Sequence, residues 1–419
     1  MKLQRMLCFL IIISICIFAL LYTLVIFSND TIPLEAHFSI HPGVQNANYD
    51  FKIDKPFTAA PFSDLTKFYK TWNDNIVYST KGRNESKKVV VWTTFFGKIY
   101  NPKLLGCPSL KSCIFTTDRQ QVEDADAVVF HFWDTSRIYN KSSMPSVRLP
   151  HQYWIWYAKE CPENNRYVDL TSYSGVYNWT MTYRNDSDVP GPPGSLDKIY
   201  KLLRKKSLKE NTTEKSGLVV WFVSKCYRYF PRHIYATELS KYISLDVFGG
   251  CGKHVCSRTN TTCMNIVIQQ YKFYLAFESY RCKEYITEKF WHNALVNGAV
   301  PIVLGPPKSD YEKFTPPNSF IHIDDFESPK DLARYIKMLD RNSVEYNRFF
   351  SWRNNPPKNI PVFEGQWCVL CKRLINSSPT ERKVYMDLER WWKGENYDFC
   401  QPLILAENIF DEKHRVYYN

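Results

Sequence analysis

The feature that most restricts the fold is a series of short, unbroken apolar runs, each followed by a polar or helix-patterned stretch. The runs are KKVVVW (87–92), ADAVVFHFW (125–133), HQYWIWYA (151–158), GLVVWFVS (217–224), SLDVFGG (244–250), YKFYLAFE (271–278), AVPIVLG (299–305) and FIHID (320–324). A strand covered on both faces has this composition, because neither face needs polar residues for water. Helical periodicity appears between them at 232–242, 287–297 and 329–339. Strand and helix in alternation predict parallel sheets with crossover helices. The Pro-, Gly- and charge-rich segment 186–216 reads as a boundary, giving two α/β units. The predicted organisation is a tail (1–6), an apolar span (7–27), a stem (28–85), a first α/β domain (86–210), a second (211–365) and a tail (366–419) that packs back on the first.

Residues 7–27 are 21 consecutive residues without a charge, enough at helical rise to cross a hydrocarbon core of roughly 30 Å. Lys2 and Arg5 precede the run and no small-x-small cleavage site follows it, so an uncleaved anchor with a cytosolic N-terminus is expected. The rest then lies in the secretory lumen. Sequons at Asn29, Asn84, Asn140, Asn178, Asn185, Asn211, Asn260 and Asn376 suit that compartment. Of 13 cysteines, Cys8 and Cys16 fall in the span, and the 11 left over predict disulfides with at least one free thiol. Lysine and arginine total 54 against 42 acids, a net charge of +12 that favours anionic ligands. Nucleic acid is not the partner expected: the lumen lacks it, and no nucleic-acid-binding motif accompanies the charge.

The segment EYITEKFWHNALVNGAVPIVLG (284–305) carries the sharpest chemical signal. Thr287 is placed to cap a helix, Glu288 and Lys289 occupy its first turn, and Gly298 ends it. A helix start carries partial positive charge, to which Lys289 adds a full one, while Glu288 repels phosphate but accepts from hydroxyls. A molecule with phosphates beside sugar hydroxyls, a nucleotide sugar, satisfies both.

The block from Phe273 through FYLAFESYRCKEYITEKFWHNALVNGAVPIVLG and on to about residue 342 resembles the α1,3-fucosyltransferases, both the Lewis-type enzymes and those acting on the N-glycan core. The similarity extends through FTTDR (115–119), FHFWD (130–134), WIWYAKECP (154–162), MTYRNDSD (181–188), FSWRN and the C-x-x-C of Cys368 and Cys371. The resemblance implies the GT-B fold, two Rossmann-like domains facing a cleft, with acceptor on the first and GDP-fucose on the second. It implies donor contacts by Tyr183, Ser224, Lys225, Arg232, Tyr274, Glu278, Tyr285, Glu288 and Lys289, a catalytic base at Glu160, and acceptor contacts by Trp133 and Trp156. It also implies that Cys368 and Cys371 bridge back to Cys107 and Cys113. Two positions depart from the family pattern: Ser279 replaces an asparagine after FE, and Lys225 replaces one after VS.

Two D-x-D pairs, Asp124/Asp126 and Asp186/Asp188, offer carboxylates for a hard cation but too few ligands for a resident ion. No metal site and no required cofactor is therefore expected; a divalent cation would at most stimulate. The expected activity is inverting transfer of L-fucose from GDP-β-L-fucose to O3 of GlcNAc by a single-pass type II protein of the Golgi membrane. The acceptor is an N-acetyllactosamine-type glycan or, alternatively, the N-glycan core; a silent glycan-binding protein on the same fold is the rival.

Overall fold

The computed structural model describes residues 86–100, 102, 113–137, 144–205, 215–227, 230–254, 256, 261–354, 365–377 and 383–401. The tail, span and stem expected over 1–85 lie outside the described residues, as do Cys107, Asn29, Asn84, Asn140, Asn211 and Asn260. Among the described residues, no helix is long and apolar enough to cross a membrane.

Five parallel strands form the first sheet: β1 (Lys87–Val91), β2 (Cys113–Thr116), β3 (Ala127–His131), β4 (Tyr153–Ala158) and β5 (Trp179–Thr182), in the order β2-β1-β3-β4-β5. The chain then lays down β6 (Gly217–Phe222), β7 (Leu245–Phe248), β8 (Tyr271–Phe277), β9 (Arg281–Cys282), β10 (Val300–Leu304), β11 (Ile321–His322) and, near the end, β12 (Cys400–Gln401). All of these except β9 and β12 form a second parallel sheet, in the order β11-β10-β8-β6-β7. Counted from its own first strand, each sheet runs 2-1-3-4-5, a doubly wound order whose switch point lies between strands 1 and 3. β2 and β5, CIFT and WTMT, are additional to the apolar runs; their threonines and four-residue length hide them from a hydrophobic pattern.

Both faces of both sheets are covered, which is why the central strands read as continuous apolar runs. In the first sheet Val89, Val91, Val129 and Ile155 pack with Trp367, Leu370 and Leu374 of the helix Gln366–Asn376. The alternate residues Val90, Val128, Phe130, Trp154 and Trp156 pack with Leu388 and Trp392 of the helix Leu388–Lys393. In the second sheet Trp221, Phe273, Leu275 and Ile302 face the helices Pro231–Ser240 and Pro329–Arg341. The latter helix starts where the Ser328 side chain accepts from Asp331 N, and buries Leu332, Ile336 and Leu339 at helical spacing. Tyr274, Ala276 and Val303 on the other face meet Phe290, Trp291, Ala294 and Leu295 of the π-helical segment Lys289–Val296.

The helix Leu196–Lys205 corrects the sequence-based boundary. It falls inside the expected first domain, yet Ile199 and Tyr200 pack into the second sheet's core, so the crossover precedes it. Disulfides tie the end of the chain to both halves: Cys113 is bonded to Cys371, 258 residues away, and Cys282 to Cys400. Cys226–Cys251 and Cys256–Cys263 are local bridges. Cys368 is also disulfide-bonded, with its expected partner Cys107 outside the described residues, and Cys161 is a buried free thiol.

Candidate active site

In doubly wound sheets ligands bind beyond the carboxyl ends of the strands, at the switch point. Beyond β6, Ser224 and Lys225 are exposed. Their path is held by Gly249, at φ +92, where a Cβ would stand 2.7 Å from the Val223 carbonyl oxygen. Glu278 follows β8 directly and is fully buried. Its carboxylate accepts from Thr287 N (2.8 Å), Thr287 Oγ1 (2.8 Å) and Lys289 Nζ (2.8 Å). Burial pushes the Glu278 carboxyl up and Lys289 pulls the other way. For Lys289, burial is outweighed by Glu278 and Glu288, which hold the ammonium above its ordinary range and keep it charged. Glu288, 3.4 Å from Lys289 Nζ, is exposed.

Thr287 meets the start of the segment as its spacing predicts, its carbonyl accepting from Phe290 N at 3.2 Å and Trp291 N at 3.4 Å and its hydroxyl, at a long 3.5 Å, from Lys289 N. The same hydroxyl is also turned to Glu278. Arg232, second residue of its helix, is buried, and burial pulls its guanidinium down from the ordinary value against the opposing field of Glu278. Among the described residues its Nε is buried without a hydrogen-bond partner. A buried cationic donor left unpaired is costly, and an anionic ligand would satisfy it.

The first sheet supplies a different edge. Glu160 lies two residues beyond β4, half-buried at the entrance to the 3-10 turn Pro162–Asn165. Its Oε2 accepts from Asn164 Nδ2 (2.7 Å) and from the Tyr285 hydroxyl (3.2 Å), so the edges of the two sheets meet at this carboxylate. At the end of β3, His131 Nδ1 is 2.5 Å from Asp134 Oδ2. Asp134 also accepts from Thr94 Oγ1, Phe96 N and Gly97 N, fixing the turn after β1. That turn holds Phe96 at φ 51 and 54% exposed, its ring 6.1 Å from Trp133. A bulky residue with positive φ is strained and persists only where the surroundings enforce it.

Several expected site residues are corrected. Trp156 is fully buried in the first core, edge-on to Trp392 at 4.8 Å, and offers no face to an acceptor. Tyr274 is fully buried with its hydroxyl accepting from Asn293 Nδ2, and Tyr183 is buried 5.0 Å from the Tyr285 ring. These tyrosines and Glu278 lie beneath the surface, whereas Lys225 and Glu288 are exposed and Lys289 is half-buried. The sequon at Asn178 is unusable: the side chain is buried, its Nδ2 donating to the Lys383 carbonyl and its Oδ1 accepting from Trp154 N. Asn185 and Asn376 are exposed. Asp186 pairs with Arg184, and Asp188 accepts from Thr180 N, the Tyr385 hydroxyl and Lys383 Nζ, so both carboxylates of that D-x-D pair are engaged by protein donors. Sequence reasoning missed Asn164, although it stands four residues after Glu160 in a Pro-started turn, and it missed the His131–Asp134 pair.

Residues 84–194 match the family model described as Fucosyltransferase, N-terminal, and residues 212–391 match Glycosyltransferase family 10 (fucosyltransferase) C-term. A human 4-galactosyl-N-acetylglucosaminide 3-alpha-L-fucosyltransferase is 39% identical over 273 residues, 65% of this chain and 70% of that protein. The chain belongs to glycosyltransferase family 10, the fucosyltransferases. A Pongo pygmaeus 3-galactosyl-N-acetylglucosaminide 4-alpha-L-fucosyltransferase is 39% identical over 271 residues, 65% of this chain and 71% of the relative. The glycoprotein 3-alpha-L-fucosyltransferase A of Drosophila melanogaster is 36% identical over 293 residues, 69% of this chain and 56% of that protein. A crystal structure of an alpha1,3-fucosyltransferase with GDP-fucose aligns with TM-score 0.47 at 15% identity, covering 77% of this chain and 98% of the other. As a family member the chain is an enzyme that transfers fucose from GDP-fucose.

Proposed function

We propose that the enzyme moves L-fucose from GDP-β-L-fucose, with inversion, to O3 of GlcNAc in N-acetyllactosamine-type glycans. The observation that carries this reading is the Glu160–Tyr285 contact, which sets a half-buried carboxylate beside the segment that begins the Lys289 helix. An inverting transfer needs a base on the attacking hydroxyl and positive charge for the departing nucleotide. Glu160 is the base. Arg232, Lys289 and Lys225 offset the pyrophosphate, and the unpaired Arg232 Nε marks where a phosphate oxygen would be received. Lys225 compensates with charge for the amide that the family pattern has there.

The two five-stranded parallel sheets of the same doubly wound order, joined at the Glu160–Tyr285 contact, support a GT-B arrangement, with the acceptor on the first and donor on the second. The apolar span 7–27 and the disulfides support a type II anchor in the Golgi membrane with the catalytic part luminal. The names of the human and ape relatives favour an antennal acceptor.

The test is incubation of the full-length chain in detergent with GDP-fucose and either a lactosamine-ended or a core chitobiose glycan, with and without EDTA. Fucose on O3 of the lactosamine GlcNAc, insensitive to EDTA, is the expected product. Transfer only to the core glycan replaces the acceptor assignment, loss with EDTA replaces the fixed-cation mechanism, and glycan binding without transfer to either makes the protein a lectin.

A further inference from the structure

The base carboxylate is not symmetric. Both of its hydrogen bonds fall on Oε2, from Asn164 Nδ2 at 2.7 Å and the Tyr285 hydroxyl at 3.2 Å; among the described residues none is made to Oε1. Resting on the assignment of Glu160 as base, we propose that Asn164 and Tyr285 are positioning residues that fix Glu160 by Oε2 so that Oε1 alone takes the acceptor proton.

Each donor is itself held. Asn164 closes the turn that follows Glu160, its backbone N–H donating to the Cys161 carbonyl at 3.1 Å. Tyr285 approaches from the second half of the chain on a segment locked at three points. Cys282 is disulfide-bonded to Cys400, Glu284 N donates to Asp310 Oδ2 at 2.7 Å, and Glu284 Oε2 accepts from Asn185 N at 2.7 Å. Glu284 sits at φ 59, a conformation that a glutamate holds only under such constraint. The locked segment leads directly into Glu288 and Lys289, so the residues expected to meet the donor and the hydroxyl that orients the base share one short stretch of backbone.

The chemistry follows from the geometry. Two donors on Oε2 fix the plane of the group and leave the Oε1 lone pairs to accept from a substrate. The substrate hydroxyl proton passes to Oε1 as the new glycosidic bond forms and the bond to the GDP oxygen breaks, with the electron pair leaving on GDP. A carboxylate free to rotate would present either oxygen at the wrong angle for much of the time, a loss of the orientation on which rate depends.

The experiment measures kcat and the GDP-fucose and acceptor KM for Asn164→Ala, Asn164→Asp and Tyr285→Phe, alongside Glu160→Gln. Asn164→Ala and Tyr285→Phe should each lower kcat about tenfold. Asn164→Asp, which sets a second negative charge against Oε2, should lower it further. The GDP-fucose KM of Asn164→Ala should stay within about twofold of the parent, which a collapsed fold would not allow. An unchanged kcat in both single variants, or a GDP-fucose KM of Asn164→Ala that rises in step with the fall in kcat, overturns the proposal while an inactive Glu160→Gln leaves the base assignment standing. An active Glu160→Gln removes the base assignment and this proposal with it.

Discussion

The two sheets share a strand order and differ in what lies beyond their carboxyl ends. The second ends in exposed Lys225, buried Arg232 and a Lys289–Glu278 ion pair. The first ends in an aromatic turn, Phe96 beside Trp133, braced by Asp134 and His131, with Glu160 as the carboxylate that the second edge touches. The difference teaches that a doubly wound sheet specifies where a ligand goes and the loops specify which one. Fixed charge suits an anionic group, whereas aromatic faces and a single carboxylate suit a neutral sugar hydroxyl.

The contrast can be broken most forcefully at Lys289. Lys289→Met leaves Glu278 buried without its counter-ion and should cost about 3–5 kcal/mol in chemical denaturation, along with GDP binding. Adding Glu278→Gln should restore most of the stability and none of the affinity; a single variant as stable as the parent would mean that the pair does not hold this edge together. Arg232→Met should weaken GDP binding by calorimetry about 10- to 100-fold with little change in melting temperature, since the Nε it removes is unpaired. Equal loss of melting temperature and affinity would make Arg232 a core residue only. On the other edge, Phe96→Ala should raise the acceptor KM about three- to tenfold and leave the GDP-fucose KM alone, and a donor effect of the same size would erase the division of labour.

The smallest effect concerns Lys215, which donates to the Tyr271 and Gly298 carbonyls at 2.9 and 2.6 Å behind the second sheet. Burial, with Arg353 adding repulsion, pulls its ammonium down to about 7. The unfolded chain keeps that proton to about 10.4, so above pH 7 the unfolded state binds more protons and stability rises with pH. Lys215→Met should flatten that rise between pH 7 and 9, as read from urea midpoints.

Sequence reading captured what period and composition encode. The central strands β3, β4, β6, β8 and β10 were legible because burial on both faces leaves few polar residues in them, His131 at the end of β3 and Lys272 near the start of β8 among these. β2 and β5 were not: β2 is four residues long and only its Cys113 is buried, and in β5 Thr180 and Thr182 are buried by geometry that no pattern records. The same limit governs the site. Glu160, Arg232 and Lys289 were named from resemblance, but whether an indole packs inward or faces a ligand is decided by what covers it, and Trp392, 236 residues further on, covers Trp156. A sequon likewise carries no information on burial, which is why Asn178 was misread. Glu278 and Lys289, 11 residues apart on a strand end and a π-helical segment, share no periodic face.

The helices Gln366–Asn376 and Leu388–Lys393 close the two faces of a sheet whose last strand ends at Thr182. On the ribosome this sheet is the first to be made and the last to be finished. At roughly 5–20 residues per second its strands wait some tens of seconds for Trp367 and Trp392. During that interval a nascent chain displays both apolar surfaces to its surroundings, so a chain cut before Gln366 should yield a polypeptide held by chaperones and not a slower catalyst.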